Sequence, residues 1–185
     1  MLIVGIIAIA VLLFGIGFYN SLINKKNQVT NAFSAIDVML KKRFDLIPNL
    51  VEVVKQYTQY EGDTLTKITE LRGKALGATA SEADRLAADQ QIGTAVKGLM
   101  VSVEQYPDLK ANQNFAQLQR TWTESEEQIA AARRNYNASV TTYNNGVMMF
   151  PGNMFAGMLG YQTMPVLEST PEERENVSAK ALFNS

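Results

Sequence analysis

Two charged side chains stand on otherwise apolar helical stripes, where they could carry chemistry. Glu61 lies four residues after Tyr57 and four before Leu65, and Arg133 neighbours Ala132 on a second stripe. A buried carboxylate at such a place could serve a metal or proton site, or the two could form a structural ion pair that fixes helix register. The chain contains no histidine and no cysteine. This removes imidazole acid–base chemistry, thiol nucleophiles and the Glu-x-x-His ligand sets of di-iron bundles. With no imidazole to complete a ligand set, the ion pair is the expected role of Glu61 and Arg133. Serine and lysine occur in neither a Gly-x-Ser-x-Gly nor a Ser-x-x-Lys arrangement, and no phosphate-binding glycine loop is visible. Catalytic residues, cofactor and metal are therefore all expected to be absent. A net charge of −1, from 17 basic and 18 acidic side chains, argues against a nucleic-acid partner.

Three other patterns suggest contacts instead of reactions. Tyr136-Asn137 and Tyr143-Asn144 repeat one heptad apart. They read either as a binding stripe of rings and amides, or as core tyrosines whose hydroxyls reach the rim with asparagines beside them. The segment Met154–Tyr161 is apolar and glycine-rich, yet too short to span a bilayer. Met154, Phe155, Met158, Leu159 and Tyr161 would either cover one end of the fold or form an adaptable interaction surface. Near the amino terminus Gly5, Ala8 and Gly15, with Leu12 and Tyr19, fall on one helical face of mostly small residues. Such faces let helix backbones approach closely in lipid, so a homo-oligomer is expected.

The elements that must position these residues follow from periodicity. Met1–Tyr19 has no charged side chain, and a helix of about 20 residues crosses the hydrocarbon core. No charged n-region precedes it and no small-x-small exit follows, so it reads as an uncleaved anchor with Tyr19 at the interface. Lys25 and Lys26 follow closely, and the positive-inside rule then favours a cytoplasmic location for what comes after; an extracytoplasmic one is the alternative.

The remainder has the period of helices and no convincing strand. Val29, Phe33, Ile36, Leu40 and Phe44 form the first stripe. Asp45 reads as an N-cap with Pro48 in the first turn of a second helix, a continuous helix through Pro48 being the competing view. That second helix is expected to stop near Gly77. Ser81 with Asp84 resembles a capping box, and Tyr106-Pro107-Asp108 ends the third helix. Asn112 caps a fourth, whose stripe runs Phe115, Leu118, Trp122, Ser125, Ile129, Ala132, Tyr136, with a seam typical of coiled coils. Short links imply antiparallel neighbours. The expected fold is all-α: a transmembrane anchor (1–19), an up-and-down antiparallel four-helix bundle (20–150), and a tail (151–185) that is polar and acidic from Glu168 to Glu175 and ends in Ala181-Leu182-Phe183.

Several runs resemble the LemA family of prokaryotic membrane proteins. They are Tyr19-Asn20, Ile36-Asp37-Val38, and Arg43-Phe44-Asp45-Leu46-Ile47-Pro48-Asn49-Leu50-Val51. Glu104, Tyr106-Pro107-Asp108-Leu109-Lys110-Ala111, Arg133, Tyr136-Asn137, Tyr143-Asn144 and Phe150-Pro151 continue the series. The resemblance implies an anchored four-helix bundle in the prokaryotic inner membrane and supplies no activity. Many members begin with basic residues before the span and this chain does not, so topology is not carried over. The expected function is a non-enzymatic scaffold or assembly protein of the cell envelope, self-associating or holding other envelope membrane proteins. An accessory subunit of a membrane protease or transporter is the alternative, and a carboxylate-metal hydrolase is a third.

Overall fold

The computed structural model describes residues 1–58 and 60–168. Among them every regular element is helical: α1 (Leu2–Lys55), α2 (Gly62–Ala75), α3 (Glu82–Ser102), a 3₁₀ turn (Val103–Gln105), α4 (Pro107–Lys110), α5 (Gln113–Met148) and α6 (Gly152–Leu159). Beyond Glu168, the acidic stretch expected up to Glu175 and the Ala181-Leu182-Phe183 end lie outside the described residues. Residues 2–14 are exposed along α1, and this helix holds the one described stretch long and apolar enough to cross a membrane.

The capping signals place three helix starts. Ser81 accepts from the Asp84 amide at 3.1 Å while Asp84 accepts from the Ser81 amide at 3.0 Å, a reciprocal capping box. Asn112 Oδ1 accepts from the amides of Asn114 and Phe115 at the start of α5. Pro107 occupies the first turn of α4, where its missing N–H costs nothing.

Asp45 is not a cap. α1 continues through it, with Pro48 inside the helix, and the Asp45 carboxylate pairs with Lys41 Nζ at 3.0 Å on the helix surface. A proline in a helix interior deprives the carbonyl four residues earlier of its donor. Here that carbonyl belongs to Phe44, and Arg72 Nε of α2 donates to it at 2.8 Å. A side chain of the following helix thus takes the place of the missing backbone donor, which is why the helix survives its proline.

The second expected helix divides as well. α1 stops at Lys55 and α2 starts at Gly62, so Glu61 is the residue before a helix and not a mid-helix position.

The described residues form two compact units, one of residues 31–132 and one of residues 1–30 with 133–168. In the first, α1, α2, α3 and α5 all contribute core residues, among them Phe44, Ile68, Ile92 and Trp122. Polar contacts fix directions. Arg85 bonds Asp37 and Arg43 pairs with Asp89, so α1 and α3 run the same way. Arg72 returns to Phe44, and α5 starts with Asn112 bonded to Tyr57 and then passes Arg43 at Glu126, so α2 and α5 run the opposite way.

The second unit is built around Leu22, Val29, Val140, Tyr143, Val147 and Ala156, with Phe18, Tyr136, Tyr161 and Met164 packed on that cluster. Between α5 and α6 the chain reverses so tightly that a Cβ on Gly152 would collide with the carbonyl of Gly146. Only glycine fits there.

Candidate functional site

In the unit of residues 31–132, a buried guanidinium joins three helices. Arg43 of α1 is 5 % exposed. Its Nη1 lies 3.3 Å from Asp89 Oδ1 of α3, and its Nη2 donates to Glu126 Oε1 of α5 at 3.2 Å. The guanidinium carbon stands 4.3 Å from the centroid of the Trp122 ring. Trp122 Nε1 donates to the same Glu126 oxygen at 3.2 Å, so one carboxylate orients both members of the cation–π stack. The space for this group comes from α3: a Cβ on Gly93 would lie 2.9 Å from Arg43 Nη2. Arginine suits the position because its planar fork reaches two carboxylates and an aromatic face together, and it keeps its charge when buried.

This constellation binds helices to one another. The guanidinium engages both facing carboxylates, so each of the polar side chains in the group has its partner inside the fold. Among the described residues no three acidic side chains converge to hold a metal.

Sequence reasoning passed over Arg43, although a signal was there. Leu22, Val29, Ile36 and Leu50 are all buried and fall on a seven-residue repeat whose fourth member is Arg43. A charge at a seam position, with a mid-helix glycine at 93 and the single tryptophan at 122, forms the set.

Glu61 and Arg133, expected to pair, belong to different units, and each has a partner within its own. Glu61 Oε2 accepts from the Tyr106 hydroxyl at 2.9 Å, and in the same unit Asn112 Nδ2 donates to the Tyr57 hydroxyl at 2.9 Å. The bond to Glu61, followed by burial, raises the Tyr106 pKa above its usual value. Arg133 Nη2 donates to the Glu168 carbonyl at 2.6 Å.

That last bond begins a ladder in the other unit. Asn137 Nδ2 donates to the Leu167 carbonyl and its Oδ1 accepts from the Leu167 amide, both at 2.8 Å. Asn144 holds both backbone groups of Met164 in the same way, again at 2.8 Å. The buried Tyr143 adds a hydroxyl bond to the Gln162 carbonyl at 2.9 Å, and burial raises its pKa. Seven residues of α-helix and three of extended chain both advance about 10 Å, so asparagines one heptad apart meet residues 164 and 167. The two Tyr-Asn pairs therefore combine a core ring with an amide that clamps main chain, and the chain they hold is their own.

The segment after Pro151 folds back on α1. The Phe155 ring lies 6.3 Å from Phe14 and 5.4 Å from Phe18 between centroids, and its edge meets the position a Gly15 Cβ would take, at 3.9 Å. Tyr161 is half-buried with Lys26 Nζ 5.7 Å from its ring centre. Met154, Met158 and Leu159 stay 62 %, 85 % and 48 % exposed. Of the small face, Gly15 is covered by α6, whereas nothing lies near a Cβ built on Gly5, and Ala8 is exposed.

Known proteins share this arrangement of sequence. Protein LemA of Metamycoplasma hominis is 29 % identical over 169 residues, covering 91 % of this chain and 77 % of that protein. Magnetosome protein MamQ 2 of Paramagnetospirillum magneticum is 24 % identical over 190 residues, covering 89 % and 70 % respectively. Magnetosome protein MamQ of Magnetospirillum gryphiswaldense is 24 % identical over 178 residues, covering 83 % and 65 %. The LemA family model matches residues 32–180, a stretch that includes the Arg43 cluster and the asparagine ladder, and the chain belongs to the LemA family.

Proposed function

We propose that this LemA-family protein is a non-enzymatic scaffold of the prokaryotic cell membrane, anchored by one span and self-associating. The observation that carries the proposal is α1 itself. A single uninterrupted helix bears the apolar stretch at its start and supplies core residues to both units, Leu22 and Val29 to one and Ile36 to Val54 to the other. An anchor continuous with the core suits a protein whose task is to hold a position at a membrane. The alternating directions of α1, α2, α3 and α5 support reading residues 31–132 as an up-and-down four-helix bundle. The polar side chains that could have served chemistry, Arg43, Glu126, Asn137 and Asn144, are engaged in internal contacts.

Self-association is proposed through the open part of the small face, Gly5 and Ala8, where helices in lipid can approach closely. Light scattering of the full-length protein in mild detergent, corrected for bound detergent, tests it. An oligomer is expected, and Gly5→Leu with Ala8→Leu should lower its mass. A monomeric wild type would refute self-association, and an oligomer indifferent to both substitutions would refute this face.

A further inference from the structure

The exposed apolar residues around α6 need an explanation that a cover for one end of the fold does not supply. Phe155 and Ala156 turn inward, but Met148, Met149, Phe150, Met154 and Met158 are each more than half exposed. A patch of this kind is unusual on a surface facing water. Its neighbours identify what it faces. α6 lies against Phe14, Gly15 and Phe18, which on α1 stand about 10–16 Å from Lys25 towards the amino terminus at helical rise. The level of Lys25 is also marked on α5, because a Cβ on Gly146 would lie 3.2 Å from Lys25 Nζ. Beyond Gly146 the chain therefore proceeds alongside the apolar stretch. Charge agrees: residues 135–167 contain no charged side chain, and neither do residues 1–24. Two segments distant in sequence thus lose their charges together where they come together in space. The chain returns at Tyr161, whose ring lies under the Lys26 ammonium, a pairing suited to the headgroup level. Backbone groups at the end of α6 are engaged too, the Tyr161 amide donating to the Ala156 carbonyl at 3.0 Å, as hydrocarbon requires.

We propose that Met148–Leu159 is a second membrane-embedded element, a wedge that enters one leaflet beside the span and returns on the same side, its exposed face meeting lipid acyl chains. The inference rests on the reading of residues 1–19 as a membrane anchor. The wedge presents an apolar face on one side of the span only, so it fixes the depth and rotation of the anchor in the bilayer.

The absence of native cysteine permits a direct test on the full-length protein. Met158→Cys, Met154→Cys, Ile9→Cys and Val101→Cys are each given a nitroxide label and reconstituted in phosphatidylethanolamine–phosphatidylglycerol vesicles. Collision rates with oxygen, which concentrates in lipid, are compared with those of a water-soluble nickel chelate. The labels at 158 and 154 are expected to show an oxygen-to-nickel ratio several-fold above that at the exposed Val101 position, as is the label at Ile9. A high ratio at Ile9 with ratios at 154 and 158 equal to that at 101 would overturn the wedge and leave the anchor standing. A low ratio at Ile9 would overturn the anchor, and the wedge with it. Low collision with both reagents at 154 and 158, with spin–spin broadening, would mean that a second copy covers the face and would overturn the lipid assignment.

Discussion

Arg43 shows how much of this fold depends on one charge. Its guanidinium is buried with Asp89, whereas Glu126 keeps 49 % of its side chain exposed. The two carboxylates should therefore respond differently when the arginine is lost. Arg43→Met leaves Asp89 buried without its guanidinium, a change that costs about 3–5 kcal/mol for a broken buried pair. Glu126 can turn to water and adds little. Replacing both buried partners, Arg43→Met with Asp89→Leu, should recover most of the loss, because apolar groups of similar volume substitute well for buried ion pairs. Urea unfolding of the two single variants and the double variant in detergent measures this. A double variant whose loss equals the sum of the single losses would show that the pair is not coupled. Glu61 makes the opposite case at the same scale. It continues a stripe by spacing, yet its neighbour in the fold is a tyrosine hydroxyl and its place is a helix boundary. Periodicity continues across a break that only backbone bonding reveals.

Among the elements, what sequence disclosed and what it withheld divide along one line: local signals could be read, and compensation from a distance could not. Ser81 with Asp84 and Asn112 are settled by bonds within a few residues, and each marks its helix start as expected, whereas Pro107, expected in the turn that ends the third helix, opens the short α4. The apolar start of α1 was equally legible. Asp45 and Pro48 together imitate a helix start, and what overrides them is Arg72, a donor from another helix. The Tyr-Asn heptad was visible as a pattern, but its object, residues 162–168, carries no periodic signal because extended chain held by side-chain amides needs none. The Pro48 compensation is testable. Arg72→Met should orphan the Phe44 carbonyl at a cost of about 1–3 kcal/mol. The same substitution should cost less in a Pro48→Ala background, where the helix supplies its own donor. Equal costs in the two backgrounds, measured by thermal or urea unfolding, would mean that Arg72 stabilises the fold by some other contact, such as its 3.8 Å approach to Asp45.

For the molecule as a whole, the remaining question is which side of the membrane the helical units occupy, and the charge pattern restricts what can decide it. The positive-inside rule counts lysine and arginine close to the ends of a span. Residues 135–167, which include the proposed wedge, contribute no charge, so Lys25 and Lys26 carry the signal nearly alone. A cytoplasmic location is therefore proposed, and it should be reversible by few changes. Val101→Cys, on an exposed position of α3, provides a reporter in a chain without other thiols. In intact spheroplasts a membrane-impermeant maleimide should leave it unlabelled until the membrane is opened. Moving the charges, by Lys25→Gln and Lys26→Gln with two lysines inserted after Met1, should expose it to the reagent from outside. Both lysines also touch the fold, Lys25 beside Gly146 and Lys26 over Tyr161, so loosening must be separated from inversion. Lys25→Arg with Lys26→Arg keeps the charge while altering those contacts, and it should keep the reporter protected. Labelling of the original chain in intact spheroplasts would place the units outside and overturn the assignment. Protection that persists after the charges are moved would show that something other than Lys25 and Lys26 sets the orientation.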